Sequence, residues 1–256
     1  MTVLRTTAAL ALAAGLIGTA PARAAEINAL ITTAMEAAMD ELLPAFERDS
    51  GNSVHVSYGP TGGVARRFLA GEPADVIVIG STALVDLIRQ GRVLPGRADL
   101  ARTGIGICVR KGAPKPDVST PDALRRALLA ARSVGYTAPE GGGVTAAPIR
   151  RVFERLGIAA EVAAKARLAA GGPNGRVSVL VSSGEAEIGL QQVAELMSNP
   201  DVEVIGLLPG DLQQMTVYSA GISANAKQAD AARALVKALS EPSAVAVFKA
   251  MGLELQ

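Results

Sequence analysis

The run Asp75–Ile79 constrains the fold more than any other part of this chain. A short apolar segment without polar alternation is the mark of a strand covered on both faces. Such strands belong to sheets with helices packed on each side. The neighbouring sequence supplies those helices. Ile27–Ile31 reads as a strand followed by the helical periodicity of Ala34–Arg48, and Val54–Tyr58 as a strand followed by the helix Gly63–Ala70. Thr82–Gln90 is the helix after the apolar run. The pattern then repeats. Thr103–Arg110 is extended, and Lys111–Pro116 is a loop. Ser119–Asp122 starts a helix, with a hydroxyl cap and Pro121 in the first turn, that runs to about Ala131. Ser133–Thr137 is the next strand, and Gly141–Gly143 leads into the helix Val144–Leu156, closed by Gly157. A short helix at Val177–Ser183, strands at Glu187–Gln191 and Val202–Leu207, an extended run at Met215–Ile222 and helices at Ala229–Leu239 and Ser243–Met251 complete the chain. The fold class is therefore α/β, with mixed, mostly parallel sheets.

Two halves account for this order better than one. Residues 25–102 form one lobe and 103–214 a second. The last stretch, 215–256, has two helices but no sheet of its own, so the chain is expected to return to the first lobe. Two extended segments then cross between lobes, Thr103–Arg110 outward and Met215–Ile222 back, as a two-strand hinge. Ligands of open α/β sheets bind beyond the carboxyl ends of the strands, and lobe interfaces are favoured pocket sites.

The beginning of the chain reads as an address. Arg5 gives a positive start, Ala8–Ala20 is an uncharged apolar run, and Ala22-Arg23-Ala24 is a small-x-small cleavage site. The run falls short of the roughly 20 apolar residues a membrane-spanning helix needs. Residues 1–24 are therefore expected to be a cleaved secretory signal, with the mature protein in the periplasm. The cleavage point carries no Cys, so no lipid anchor is expected. With one Cys, an internal disulfide is impossible. Cys108 lies in the apolar stretch Ile105–Val109 and reads as a buried structural thiol.

Composition removes other classes. The chain has 25 basic and 24 acidic residues with no basic stretch, which argues against a nucleic-acid partner. Aromatics are 3% of residues, so a base- or sugar-stacking platform is not expected. One His and one Cys leave no Cys/His zinc site, and neither metal nor cofactor is expected. Walker, G-x-S-x-G and H-E-x-x-H motifs are missing. His55 shares a strand face with Ser57, opposite Val54 and Val56, and reads as a surface histidine.

Four places put small, hydroxyl or glycine residues at a helix start: Thr32-Thr33-Ala34, Pro60-Thr61-Gly62-Gly63, Gly141-Gly142-Gly143-Val144-Thr145 and Pro173-Asn174-Gly175. Helix starts carry N–H groups without intrahelical acceptors and the positive end of the dipole. Glycine lets an anion approach the backbone, and hydroxyls add uncharged donors. Singly, such starts are ordinary caps and turns. Two from each lobe, converging on one cleft, would cage an anion. Gln191 and Gln192 end an apolar strand and add amides to the same cleft. Arg66, Arg67 and Arg176 are further candidates for meeting a carboxylate.

From about Glu26 onward the chain resembles the molybdate-binding-protein-like solute-binding proteins of ABC importers. The resemblance rests on Thr32-Thr33-Ala34, on Leu43-Pro44-Ala45-Phe46-Glu47 with Ser50-Gly51, and on Thr61–Arg66. Gly71-Glu72-Pro73-Ala74-Asp75-Val76 and Ser183–Gly189 complete it. It implies the type II periplasmic-binding-protein fold and a hinge-closing monomer that hands its ligand to a membrane permease. The family's ligand contacts then fall at or beside Ala34, with Thr33 the nearest hydroxyl, at Thr61 or Gly62, near Gly142, near Asn174, and at Gln192 where the family has tyrosine. The ligand-binding set is thus Thr32, Thr33, Ala34, Thr61, Gly62, Gly63, Gly142, Gly143, Val144, Asn174, Gln191 and Gln192.

Two functions remain open. One is capture of a small anion, a molybdate-like oxyanion or a small carboxylate. The other is a cofactor-free isomerase acting on a small tricarboxylate, since the chain also resembles the periplasmic aconitate isomerases of the same family. That chemistry needs a base in the cleft, for which Tyr136, Glu140 and Glu36 are candidates.

Overall fold

The computed structural model describes residues 24–171 and 175–254. Nearly all of the expected leader, and Asn174, lie outside the described residues.

Two five-stranded sheets organise the chain. The first contains β1 (Glu26–Thr32), β2 (Ser53–Gly59), β3 (Val76–Gly80), β4 (Ala98–Thr103) and, from far along the chain, β10 (Thr216–Ile222), in the order β2-β1-β3-β10-β4. The second contains β5 (Ile105–Arg110), β6 (Val134–Thr137), β7 (Ala166–Ala169), β8 (Ile188–Gln192) and β9 (Val202–Leu207), in the order β7-β6-β8-β5-β9. Both sheets are mixed in the same way. Three strands are parallel, and a fourth arrives from the other lobe and pairs antiparallel on both sides: β10 in the first sheet, β5 in the second. Every residue of β3 is buried, as its unbroken apolar sequence requires.

Helices cover both sheets. The first lobe carries α1 (Glu36–Ser50), entered through a 3-10 turn at Thr33–Met35, α2 (Thr61–Leu69), α3 (Ser81–Arg89), α9 (Ala229–Ala238) and α10 (Pro242–Ala250). The second carries α4 (Pro121–Ala130), α5 (Ala146–Arg155), α6 (Ala159–Ala163), α7 (Val177–Ser182) and α8 (Val193–Met197). Separate apolar cores lie beneath them. Met35, Met39, Tyr218 and Phe248 anchor one, and Leu124, Ile149, Phe153 and Leu190 another. The cap expected at α4 is present: the Ala123 N–H donates to Thr120 Oγ1 at 3.1 Å, and Pro121 occupies the first turn.

Several boundaries differ from those the sequence predicts. Thr103–Arg110 is two strands. Gly104 breaks it, and Thr103 closes β4 while Ile105 opens β5. The helix expected from Gly63 starts at Thr61, and that expected from Val144 starts at Ala146, after a 3-10 turn at Pro139–Gly141. β4, β7, α6 and α8 have no counterpart among the elements the sequence predicts.

The two crossings between lobes lie against each other. A Cβ on Gly104 would stand 2.8 Å from Gln213 Nε2 and 3.1 Å from Met215 Sδ, so a larger residue here would push aside the Gln213 and Met215 side chains. The Gln213 amide grips the outgoing crossing. The Ile105 N–H donates to its Oε1 at 2.9 Å, and its Nε2 donates to the Ile105 carbonyl at 3.0 Å.

Cys108 on β5 is fully buried, and burial pushes its thiol up to about 12. Native protein at pH 8 is therefore expected to leave a thiol reagent unconsumed over hours, and denatured protein to react with one equivalent. Fast reaction of the native protein would contradict this burial. Among the described residues no helix is long and apolar enough to cross a membrane.

Candidate functional site

The carboxyl ends of β1 and β2 in one lobe face those of β6 and β8 in the other. Between them lies a small chamber lined by Thr32, Thr33, Pro60 and Thr61 from the first lobe. Thr137, Gly143, Val144, Gly171, Gln191 and Glu195 line it from the second. Its volume is about 20 Å³, room for little more than a water molecule. The lobes are closed on one another: the Gly62 N–H donates to the Gly142 carbonyl across the gap at 2.9 Å.

Each lobe contributes a pair of threonine hydroxyls. In the first, the Gly80 N–H donates to Thr61 Oγ1 at 3.2 Å, and Thr61 Oγ1 donates to Thr32 Oγ1 at 3.2 Å. That order leaves the Thr32 hydroxyl proton free to point elsewhere. In the second, Thr137 Oγ1 and Thr145 Oγ1 are 3.3 Å apart. All four residues are buried. The donors follow from local sequence: Thr32 ends a strand before a 3-10 turn, and Thr61 opens α2 directly after Pro60.

Of the residues singled out in the sequence, Thr32, Thr33, Thr61, Gly143, Val144 and Gln191 line the chamber. Gly62, Gly63 and Gly142 form its rim, where the lobes touch; a Cβ on Gly142 would lie 3.2 Å from the Gly63 nitrogen. Ala34 is buried in the first lobe's core. Gln192 is brought elsewhere. Adjacent strand residues face opposite ways, so Gln191 reaches the chamber. There it also accepts the Val177 N–H at 3.0 Å, while Gln192 Nε2 donates to Thr216 Oγ1 at 2.9 Å beside the crossings.

The arginines divide. Arg67 is structural: it donates to the carbonyls of Ser57 and Tyr58 and pairs with Glu72 at 3.1 Å. Arg66 is exposed, with its guanidinium near Gly142 at the rim. Arg176, from the second lobe, forms an ion pair with Glu36 of the first, one more tie across the gap. No Lys or Arg lines the chamber among the described residues.

Three carboxyl or phenol groups considered from sequence are placed away from the chamber. Glu36 is engaged by Arg176, Glu140 is exposed, and Tyr136 packs edge-on against Phe153 in a core. The group that does stand in the chamber is Glu195, on α8 three residues after β8. Thr33 Oγ1 donates to its Oε1 at 3.4 Å. Burial, outweighing the nearby Arg176 charge and donors from Thr33 and Gln191, raises its carboxyl to about 7. The sign is definite. Folding favours the protonated form, so the stability it contributes is full below pH 4.5 and is lost as pH rises toward 7.

A second space adjoins the first. It is a cavity of about 430 Å³ between α3, the start of β10 and the Val144 loop, and Thr61 and Val144 line both spaces.

Two β-sheets whose strand ends bring threonine hydroxyls to one gap are an architecture that solute-binding proteins use. The profile of the family described as bacterial extracellular solute-binding protein matches residues 27–254, and the chain belongs to that family. It is 33% identical over 255 residues to a Pseudomonas aconitate isomerase, covering 96% of this chain and 95% of that protein. It is 30% identical to the molybdate-binding protein ModA of Azotobacter vinelandii, covering 96% of each. The solved periplasmic molybdate-binding protein of Azotobacter vinelandii superposes with a TM-score of 0.73 at 21% identity, over 90% of this chain and 99% of that one.

Proposed function

We propose that this protein captures a small carboxylate anion between its lobes in the periplasm and passes it, as a monomer, to the permease of an ABC importer. The observation that carries this reading is the chamber itself: threonine hydroxyls and helix starts from both lobes converge on one gap that also holds the Glu195 carboxyl. Neutral donors of this kind suit an anion. An ionised Glu195 would repel a fully deprotonated oxyanion with no cation in the lining to offset it, whereas a carboxylic ligand can share its proton with Glu195. The adjoining 430 Å³ space accommodates a ligand longer than a tetrahedral oxyanion.

A panel of molybdate, tungstate, sulfate, citrate, tricarballylate and cis- and trans-aconitate tests this by thermal shift. Binding to the native state alone raises apparent stability, by roughly 2.7 kcal/mol at a ligand concentration of 100 Kd. The expected result is a rise with one or more of the organic acids and none with molybdate or tungstate. A response confined to molybdate and tungstate would overturn the carboxylate assignment.

A second reading has support of its own. The 33% identity to aconitate isomerase spans nearly the whole of both chains, and the chamber holds a carboxyl poised near neutrality. On this reading the protein isomerises a small tricarboxylate without a cofactor. Ultraviolet absorbance of cis- or trans-aconitate, followed with and without protein, tests it: a steady change that depends on protein supports the isomerase, and a flat trace rejects it.

A further inference from the structure

We infer that Glu195 is the proton-transfer group of this chamber, carrying one proton between two carbons of an unsaturated polycarboxylate. The inference rests on the isomerase reading above and names the residue that would perform it. Glu195 is the single titratable side chain in the chamber lining among the described residues. Glu36 is held by Arg176, and Tyr218, which lies close to Glu195, is fully buried behind the first sheet. The charged groups that act on Glu195 are Arg176 and Glu36, already paired with each other. Thr33 donates to the Oε1 of the carboxyl, and Gln191 stands close enough to favour its ionised form.

The chemistry closes on itself. The ionised carboxylate takes a proton from the saturated carbon that lies between a substrate carboxylate and the carbon–carbon double bond. The released C–H electron pair becomes the new double bond, and the old double-bond pair moves to the far carbon. The protonated Glu195 then returns its proton to that carbon. One C–H bond breaks and another forms, the double bond shifts by one position, and Glu195 is regenerated. Neither oxidant nor reductant is required. Charge that develops on the substrate carboxylates meets the hydroxyls of Thr32 and Thr137, one from each lobe. A carboxyl raised toward neutrality is matched to such a task at physiological pH.

The test compares wild type with Glu195→Gln, which keeps the shape and removes the base. Both proteins are given the two unsaturated tricarboxylates of the panel in deuterated buffer, and conversion and deuterium uptake are read by NMR. Binding is read separately as the thermal shift with saturated tricarballylate. The expected result is conversion by wild type and a loss of about 100-fold or more in the turnover of Glu195→Gln, each compared at a ligand concentration that saturates that protein's own tricarballylate shift. Wild-type kcat should rise with pH as Glu195 ionises, because the base form is required, and KM should rise with it, because the ionised carboxyl repels the anion. If Glu195→Gln converts at the wild-type rate, the inference falls and the isomerase reading stands. If wild type binds but neither converts nor exchanges, the isomerase reading falls and the inference with it, while anion capture stands. If Glu195→Gln does not fold, Glu195→Asp decides. Its carboxyl is withdrawn by one methylene, and turnover within twofold of wild type would overturn the inference.

Discussion

Replacing Asp75 with alanine will destabilise the protein on the order of 4 kcal/mol, for a buried carboxylate removed from several donors. Asp75 is 2% exposed, yet the sequence places it at the mouth of the most apolar strand. Its Oδ2 accepts the Asn28 N–H at 2.9 Å. Its Oδ1 accepts the N–H groups of Lys227 and Gln228 at 2.7 and 3.0 Å, where α9 begins. One carboxylate thus ties the start of the first sheet to a helix added some 150 residues later. Alanine leaves three part-buried N–H groups without their acceptor at once, and the negative charge at the start of α9 goes too. For a chain of this size, 1 kcal/mol corresponds to roughly 2–4 °C, so the melting temperature should fall by about 10 °C. Asp75→Asn, which keeps one acceptor oxygen, should fall by less. A calorimetric melt of Asp75→Ala within 2 °C of wild type would refute this role.

Gly142→Val will cut ligand affinity on the order of 100-fold and lower the melting temperature of the unliganded protein by roughly 2–12 °C. Gly142 sits at φ +71°, a conformation a β-branched residue strongly resists. A Cβ there would also press on the Gly63 nitrogen at 3.2 Å and on Arg66 Nη1 at 3.3 Å. Both contacts are across the gap, so the obstruction acts on closure rather than on either lobe's core. If the closed form drops to about one part in a hundred, apparent affinity drops by the same factor. Isothermal titration with a ligand found by the panel reads the affinity, and small-angle scattering reads the closure. Wild-type affinity together with a wild-type compaction on ligand addition would show that the rim contact is dispensable.

How much of this was legible depends on where the information lies. β3 was legible because its apolar run is unbroken, and β9, Val-Glu-Val-Ile-Gly-Leu, because it is rich in β-branched residues. β4 was not: Ala-Asp-Leu-Ala-Arg-Thr contains one β-branched residue, at its end, and a single glycine separates it from β5. β7, Ala-Arg-Leu-Ala, has helix-forming composition and is a strand through its pairing with β6. At the chamber, Thr32, Thr33, Thr61 and Gly143 were legible from their places at the junctions of strands and helices. Glu195 was not, because α8 is one short turn and a lone acid on it reads as solvated. A signal did exist: this acid interrupts an otherwise apolar segment, Val193–Met197, directly after a buried strand. The motif around Gly71–Val76 was conspicuous in the sequence, and the structure gives its Asp75 a task of cohesion rather than ligand contact.

The grip of Gln213 on Ile105 fastens the outgoing crossing to the returning one by two hydrogen bonds. The residues that follow it, Gln214–Val217, line the larger cavity. Swing and recognition therefore share one spine, and an optical reporter built on this scaffold would register both in a single signal.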